Sequence, residues 1–168
     1  MSNFSKIAKV LLQEGEALKD ILIAELIAQN HVASGKLINS FDVRFNISGN
    51  SLLLEVDNSA GYAIKVDEGV SAGTIVGLRK LQRWVKLKAK RGFLRASTKK
   101  AVYLIAKRVK KSIKERGTVS PKGFIENAMY TAQNAGVFNR IADATGLQVD
   151  SYLGETEIDS TITLTITA

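Results

Sequence analysis

Apolar positions recur through residues 4–29 at helical spacing, with Ile7, Leu11, Leu18, Leu22 and Leu26 falling on one stripe. Glu14, Glu16 and Asp20 occupy the intervening faces, so the pattern predicts a long amphipathic helix. Gly15, in its middle, lowers helix propensity by about 1 kcal/mol relative to Ala and makes that point a candidate bend. Asn30 and Gly35 then supply turn chemistry. From Phe41 the period changes to two: Phe41, Val43, Phe45 and Ile47 alternate with Asp42, Arg44 and Asn46. With "SGN" at 48–50 and the apolar return "SLLLEVDNS", the stretch 37–59 reads as a β-hairpin.

Further along, "GYAIKVDEGV" (61–70) reads as a strand or a short amphipathic turn, and "GVSAGTIVG" (69–77) as a glycine-rich loop arm. Residues 78–92 predict a helix with Leu78, Leu81, Trp84, Val85 and Leu87 set among cations and Gly92 as its stop. A second helix follows, with Ser97 or Thr98 as its cap, Val102, Ile105, Val109 and Ile113 on one face, and Gly117 at its end. Residues 124–153 carry a helical pattern with an interruption at Gly136. The alternation of Ile158, Ile162, Leu164 and Ile166 with threonines makes 158–167 a C-terminal strand, which needs a sheet to join. The expectation is a single domain over 1–168, of α+β class. A small antiparallel sheet, the hairpin 37–59 plus strand 158–167, packs with helices on one side.

Charge changes this picture most. Residues 1–78 hold 6 Lys/Arg against 9 Asp/Glu, and residues 117–168 hold 2 against 6. Residues 79–116 hold 16 against 1. So dense a block of one sign is the footprint of a polyanion, a docking face for an acidic partner, or a solvated surface. Lys99, Lys100, Lys107, Lys110, Lys111 and Lys114 are the candidates for facing DNA or a partner protein. Trp84, between Arg83 and Lys86, reads as core packing ahead of a stacking platform, because Leu81, Val85 and Lys88 share its helix face.

Little else in the chain carries chemistry. There is no cysteine and one histidine, His31, which disfavours thiolate zinc sites, His-based catalysis and disulfides. His31 reads as a cap on the preceding helix C-terminus. Asp67 and Glu68 are adjacent and diverge in either a strand or a helix, so they make a poor acid/base pair. A helix-end contact or a local ion pair, for instance with Lys65, is the favoured reading, with an enzyme built on Asp67 or Glu68 as the remote one. The loop 69–77 lacks phosphate-loop spacing, and 61–69 lacks the alternating oxygens of a calcium loop. No cofactor and no metal are expected. No apolar run is long enough for a membrane span, and the N-terminus carries charge through its apolar pattern, unlike a secretory signal.

Read in order, these landmarks resemble the bacteriophage tail-completion (head–tail joining, or neck) proteins. Ser34, Gly35, Leu37 and Ser40 look like that family's Thr-Gly-x-Leu-x-x-Ser stretch. Tyr62, Ala63, Val66, Asp67 and Gly69 look like its Tyr-Ala-x-x-Val-(Glu/Asp)-x-Gly motif. The basic helices and a polar C-terminal helix follow in the expected order, so the likeness spans about residues 30–130. The sequence departs from the family in lacking a proline-rich loop after Gly69 and in its C-terminal Thr/Ile strand. The resemblance implies a non-catalytic virion protein, made in the host cytoplasm. It would form a homo-oligomeric ring, six- or twelve-fold, between portal–adaptor and tail proteins and around the DNA channel. In that frame Asp67, Glu68, Gly69 and Thr74 are candidate inter-subunit residues. The alternative reading is a free nucleic-acid-binding protein using 79–116.

Overall fold

The structure, a computed structural model, describes residues 3–31, 34–48, 51–118, 123–145, 148–155 and 160–167. The first pattern does form one helix, α1 (Asn3–Ala28). Leu11, Leu18, Leu22 and Leu26 are fully buried and Ile7 packs against the same cluster. Gly15 lies on that stripe for a packing reason. A Cβ there would stand 2.5 Å from Val43 Cγ1 and 2.9 Å from Leu54 Cδ1, so the missing side chain lets α1 sit directly on the sheet. A short 3₁₀ turn (Ile38–Ser40) leads into β1 (Phe41–Ser48), which pairs with β2 (Ser51–Asn58). The register runs from Phe41↔Asn58 to Ser48↔Ser51. The residues that join the two strands, Gly49 and Asn50, lie outside the described residues.

The remaining elements are α2 (Ala63–Asp67), α3 (Leu78–Lys90), α4 (Lys99–Arg116), α5 (Phe124–Asn134), α6 (Val137–Thr145), β3 (Gln148–Glu155) and β4 (Ser160–Thr167). The C-terminal strand finds the hairpin as its sequence requires. β4 pairs antiparallel with β2, placing Leu164 opposite Leu54 and Ile162 opposite Val56. Residues 158 and 159 of the expected strand lie outside the described residues. β3 is a correction. The expected helix over 124–153 ends at Thr145, and 148–155 is instead an edge strand on β4, giving an antiparallel sheet in the order β1-β2-β4-β3. The break at Gly136 (φ 71°) does separate α5 from α6.

Two apolar clusters result. The larger joins α1 to Leu54 and Val56 of the sheet and to Phe124, Ile125, Ala128, Val137 and Ile141 of α5 and α6. Glu14, nearly buried on α1, accepts two bonds of 2.8 Å from the Arg140 guanidinium of α6, which clamps the two helices together. The smaller cluster holds α3 against α4 through Leu81, Val85, Val102, Ala106 and Ile113. The basic segment is therefore a helical hairpin with its own core, beside an α+β body.

Candidate interaction surfaces

The stretch 61–70 builds a corner rather than a reactive site. Tyr62 and Val66 pack against the main cluster, and α2 ends with Asp67 aimed at the start of α5. The Ile125 backbone N–H donates to Asp67 Oδ1 at 2.8 Å, satisfying one of the orphan donors at that helix N-terminus. Gly123 leaves room for this, since a Cβ there would stand 2.8 Å from either carboxylate oxygen. Burial raises the Asp67 pKa above the ordinary carboxylate value, against the lowering effect of the Ile125 and Phe124 N–H groups. The helix-end contact is thus the one realised. Glu68 stays exposed, with its backbone N–H bonded to the Ile64 carbonyl.

Gly69 (φ 81°) and Gly117 (φ 72°) let two backbone segments meet. Val70 and Thr118 exchange both backbone bonds, at 3.2 and 2.8 Å. A Cβ on Gly69 would fall 1.8 Å from the Thr118 carbonyl oxygen. The Gly73 N–H also donates to the Lys114 carbonyl at 2.8 Å, and Thr74 Oγ1 donates to the Ser71 carbonyl at 2.7 Å. The expected loop arm is therefore tied at both ends of its first half to the C-terminus of α4. Ile75 beyond it is 83% exposed.

The landmarks at 34–40 are equally structural. Leu37 is buried, Ser40 Oγ donates to its carbonyl at 2.8 Å, and Asn58 Nδ2 donates to the same carbonyl at 3.2 Å. Asn58, buried on β2, also accepts from the Ala60 N–H at 2.9 Å and so stitches the end of the hairpin to the turn before it. The Ala60 bond is a local Asx turn that an Asn in this position can make, whereas the Leu37 carbonyl is backbone brought in by the fold.

A second such residue is Lys88, which the sequence set on the helix face of Leu81, Trp84 and Val85 without giving it a task. It is buried, its Nζ donates to the Asn30 carbonyl just past α1, and it lies 4.8 Å from the Phe93 ring centroid. The ammonium thus meets the negative end of α1, and desolvation followed by Arg91 pushes its pKa down. This is the capping task expected of His31. His31 instead sits beside Lys88, with its ring Nε2 3.1 Å from Gln29 Oε1. Burial first, and the Lys88 charge second, hold its pKa below the usual value, while Asp67 acts the other way.

The six candidate lysines do share one surface. At 100° per residue, Lys99, Lys110, Lys114, Lys107, Lys100 and Lys111 fall within an arc of about 120° on α4, with Tyr103 inside it. Val102, Ala106 and Ile113 lie on the adjoining arc, centred about 100° round the helix from the lysines, and face the hairpin core. Lys110 is half-buried and the other five are exposed, as is Tyr103 at 42%. Thr98 is the cap, accepting from the Ala101 N–H at 3.1 Å. On α3, Arg79, Arg83, Lys86 and Lys90 form a similar exposed stripe. Trp84 is 37% exposed at the edge of a groove, so the expectation of core packing is met only in part.

That groove, about 1140 Å³, runs between α3 on one side and α2 with the turn 34–38 on the other. Among the described residues no group of three or more His, Cys, Asp or Glu side chains could hold a metal ion, and no helix is long and apolar enough to cross a membrane. No known protein family, characterised protein or solved structure matches the chain.

Proposed function

We propose that the chain is a structural subunit of a tailed-phage virion. In this reading it assembles as a ring in the neck or tail-completion region, with portal–adaptor proteins above, tail proteins below and the DNA channel at its centre. The observation that carries the reading is the α4 face: six lysines and Tyr103 on one arc of a helix that owns a separate core. A face of that kind gives sequence-independent attraction for a passing phosphate backbone without ordering the body around it. The resemblance supports the assignment to a neck, because its landmark residues, Leu37, Ser40, Tyr62, Val66, Asp67 and Gly69, all act in holding the fold and none converges as a catalytic set.

Electron microscopy of the purified protein and of particles is the test. Six- or twelve-fold rings located between head and tail are expected, and a chain absent from purified particles ends this reading. The same lysine face also favours a free nucleic-acid-binding protein. That second reading predicts tight, steeply salt-dependent DNA binding by the isolated chain without any place in the virion. In either case, replacing Lys107, Lys110 and Lys111 by Ala lowers the slope of log affinity against log salt by about 2–3 for duplex DNA, at roughly 0.9 per phosphate contact. An unchanged slope removes the α4 face as the DNA contact.

A further inference from the structure

The groove beside α3 has a one-sided chemistry. Its α3 wall is the stripe Lys80, Arg83, Trp84 and Leu87, spaced i, i+3, i+4, i+7 over about 10 Å. Lys65 of α2 and the exposed Ile75 stand on other walls, and the described lining residues include no carboxylate. A cationic, partly apolar trough of this form suits a helix bearing acids and aliphatic side chains on one face.

The chain presents such a face. On the side of α1 away from its buried leucines, Glu16, Asp20, Ile23 and Ile27 share an arc of about 60°. Glu16, Asp20 and Ile27 are exposed, Ile27 to 51%, and Glu16 pairs with Lys19. Asp20 to Ile27 covers the same length as Lys80 to Leu87. Laid parallel, Asp20 meets Lys80 and Arg83, Ile23 meets Trp84, and Ile27 meets Leu87. The reverse direction would set Asp20 against Leu87 and Ile27 against Lys80, so the charge pattern sets the direction.

We propose that the groove receives the Glu16–Ile27 face of α1 from a second copy of this chain. Groove and helix face are different surfaces of one molecule, so the contact is head-to-tail, and repeated with a closing rotation it generates a ring. This rests on the ring reading above and names the interface that reading requires.

Charge reversal tests it by sedimentation velocity at low and high salt. The wild type is expected to form oligomers that dissociate as salt is raised. Lys80→Glu with Arg83→Glu, and separately Glu16→Lys with Asp20→Lys, are each expected to give a folded monomer, with circular dichroism unchanged because all four positions are exposed. An equimolar mixture of the two variants offers two matched contacts, the intact groove with the intact helix face and the reversed groove with the reversed face, so it regains the wild-type oligomers. The chain carrying all four changes regains the wild-type size. Oligomers unaffected by either double variant overturn this interface and leave the ring reading standing. Loss with the groove variant alone assigns the groove to some other occupant and also overturns the proposal. A wild type monomeric at every concentration overturns it too, whereas the ring reading itself is judged by presence in particles.

Discussion

His31 and Asp67 lie close enough to act on each other's protons, and each has been moved from its ordinary value mainly by burial. Their effects on stability have opposite signs. The folded His31 gives up its proton more readily than the unfolded one, so between its lowered folded pKa and 6.5 the unfolded chain binds more protons. Stability therefore rises with pH through the window just below 6.5. The folded Asp67 holds its proton above 3.8, so in the window just above that value its contribution falls as pH rises. Urea midpoints across both windows are expected to show the first rise in the wild type and to lose it in His31→Gln, since Gln keeps a polar group beside Lys88 without titrating. A His31→Gln profile with the rise intact would assign it to another group. At Gly69 the effect is steric, and no pH dependence accompanies it. Gly69→Ala meets both a φ of 81° and the Thr118 carbonyl, and is expected to lower the thermal midpoint even though the position is only half-buried.

At the scale of elements, α1 and the sheet approach through Gly15. Replacing it by Ala favours the helix by about 1 kcal/mol in isolation. The added methyl meets Val43, whose branched side chain has little room to turn, and Leu54, which is fully buried. Overpacking of this kind costs about 1–3 kcal/mol, so Gly15→Ala is expected to be net destabilising by denaturant unfolding. A more stable variant would show that α1 lifts off the sheet without cost. Periodicity named α1, β1, α3 and α4 correctly because each has one buried face, and Phe41, Val43 and Phe45 alternate with exposed Asp42, Arg44 and Asn46 in the structure as in the sequence. It failed over 148–155, where Val149, Tyr152 and Leu153 are spaced as readily for a helix as for an edge strand. What turns that segment into β3 is the free edge of β4, an element that comes later in the chain.

For the whole molecule, the division into two apolar clusters has a measurable consequence. Leu81 belongs to the hairpin cluster alone, so Leu81→Ala is expected to remove about 2–5 kcal/mol from that unit. Amide exchange in α3 and α4 should accelerate well before that in α1 and α5. Uniform acceleration across all four helices would mean that the body and hairpin unfold as one. Among the described residues the polar ties of the hairpin to what precedes it include Lys88 on the Asn30 carbonyl, the Val70–Thr118 bridge and the Gly73 N–H on the Lys114 carbonyl. Local yielding of that unit would carry the lysine face of α4 with it, which in the proposed ring lies at the DNA channel.

Hydrophobic periodicity and charge by themselves determined the α+β class, the β1–β2 hairpin with β4 as its partner, and the two successive basic helices with their lysines off the apolar stripe. The elements follow from spacing along single stretches of chain, which is written into the residue order, and the β4 pairing from the need of an alternating Thr/Ile strand for a sheet to join. Only the tertiary structure decided what Gly15, Asn58, Asp67, Lys88 and Arg140 do. Each acts on a partner more than twenty residues away, or on backbone that becomes a donor or acceptor only once a helix end has been placed. A lysine in a run of lysines looks like all the others until one of them is carried to the end of another helix.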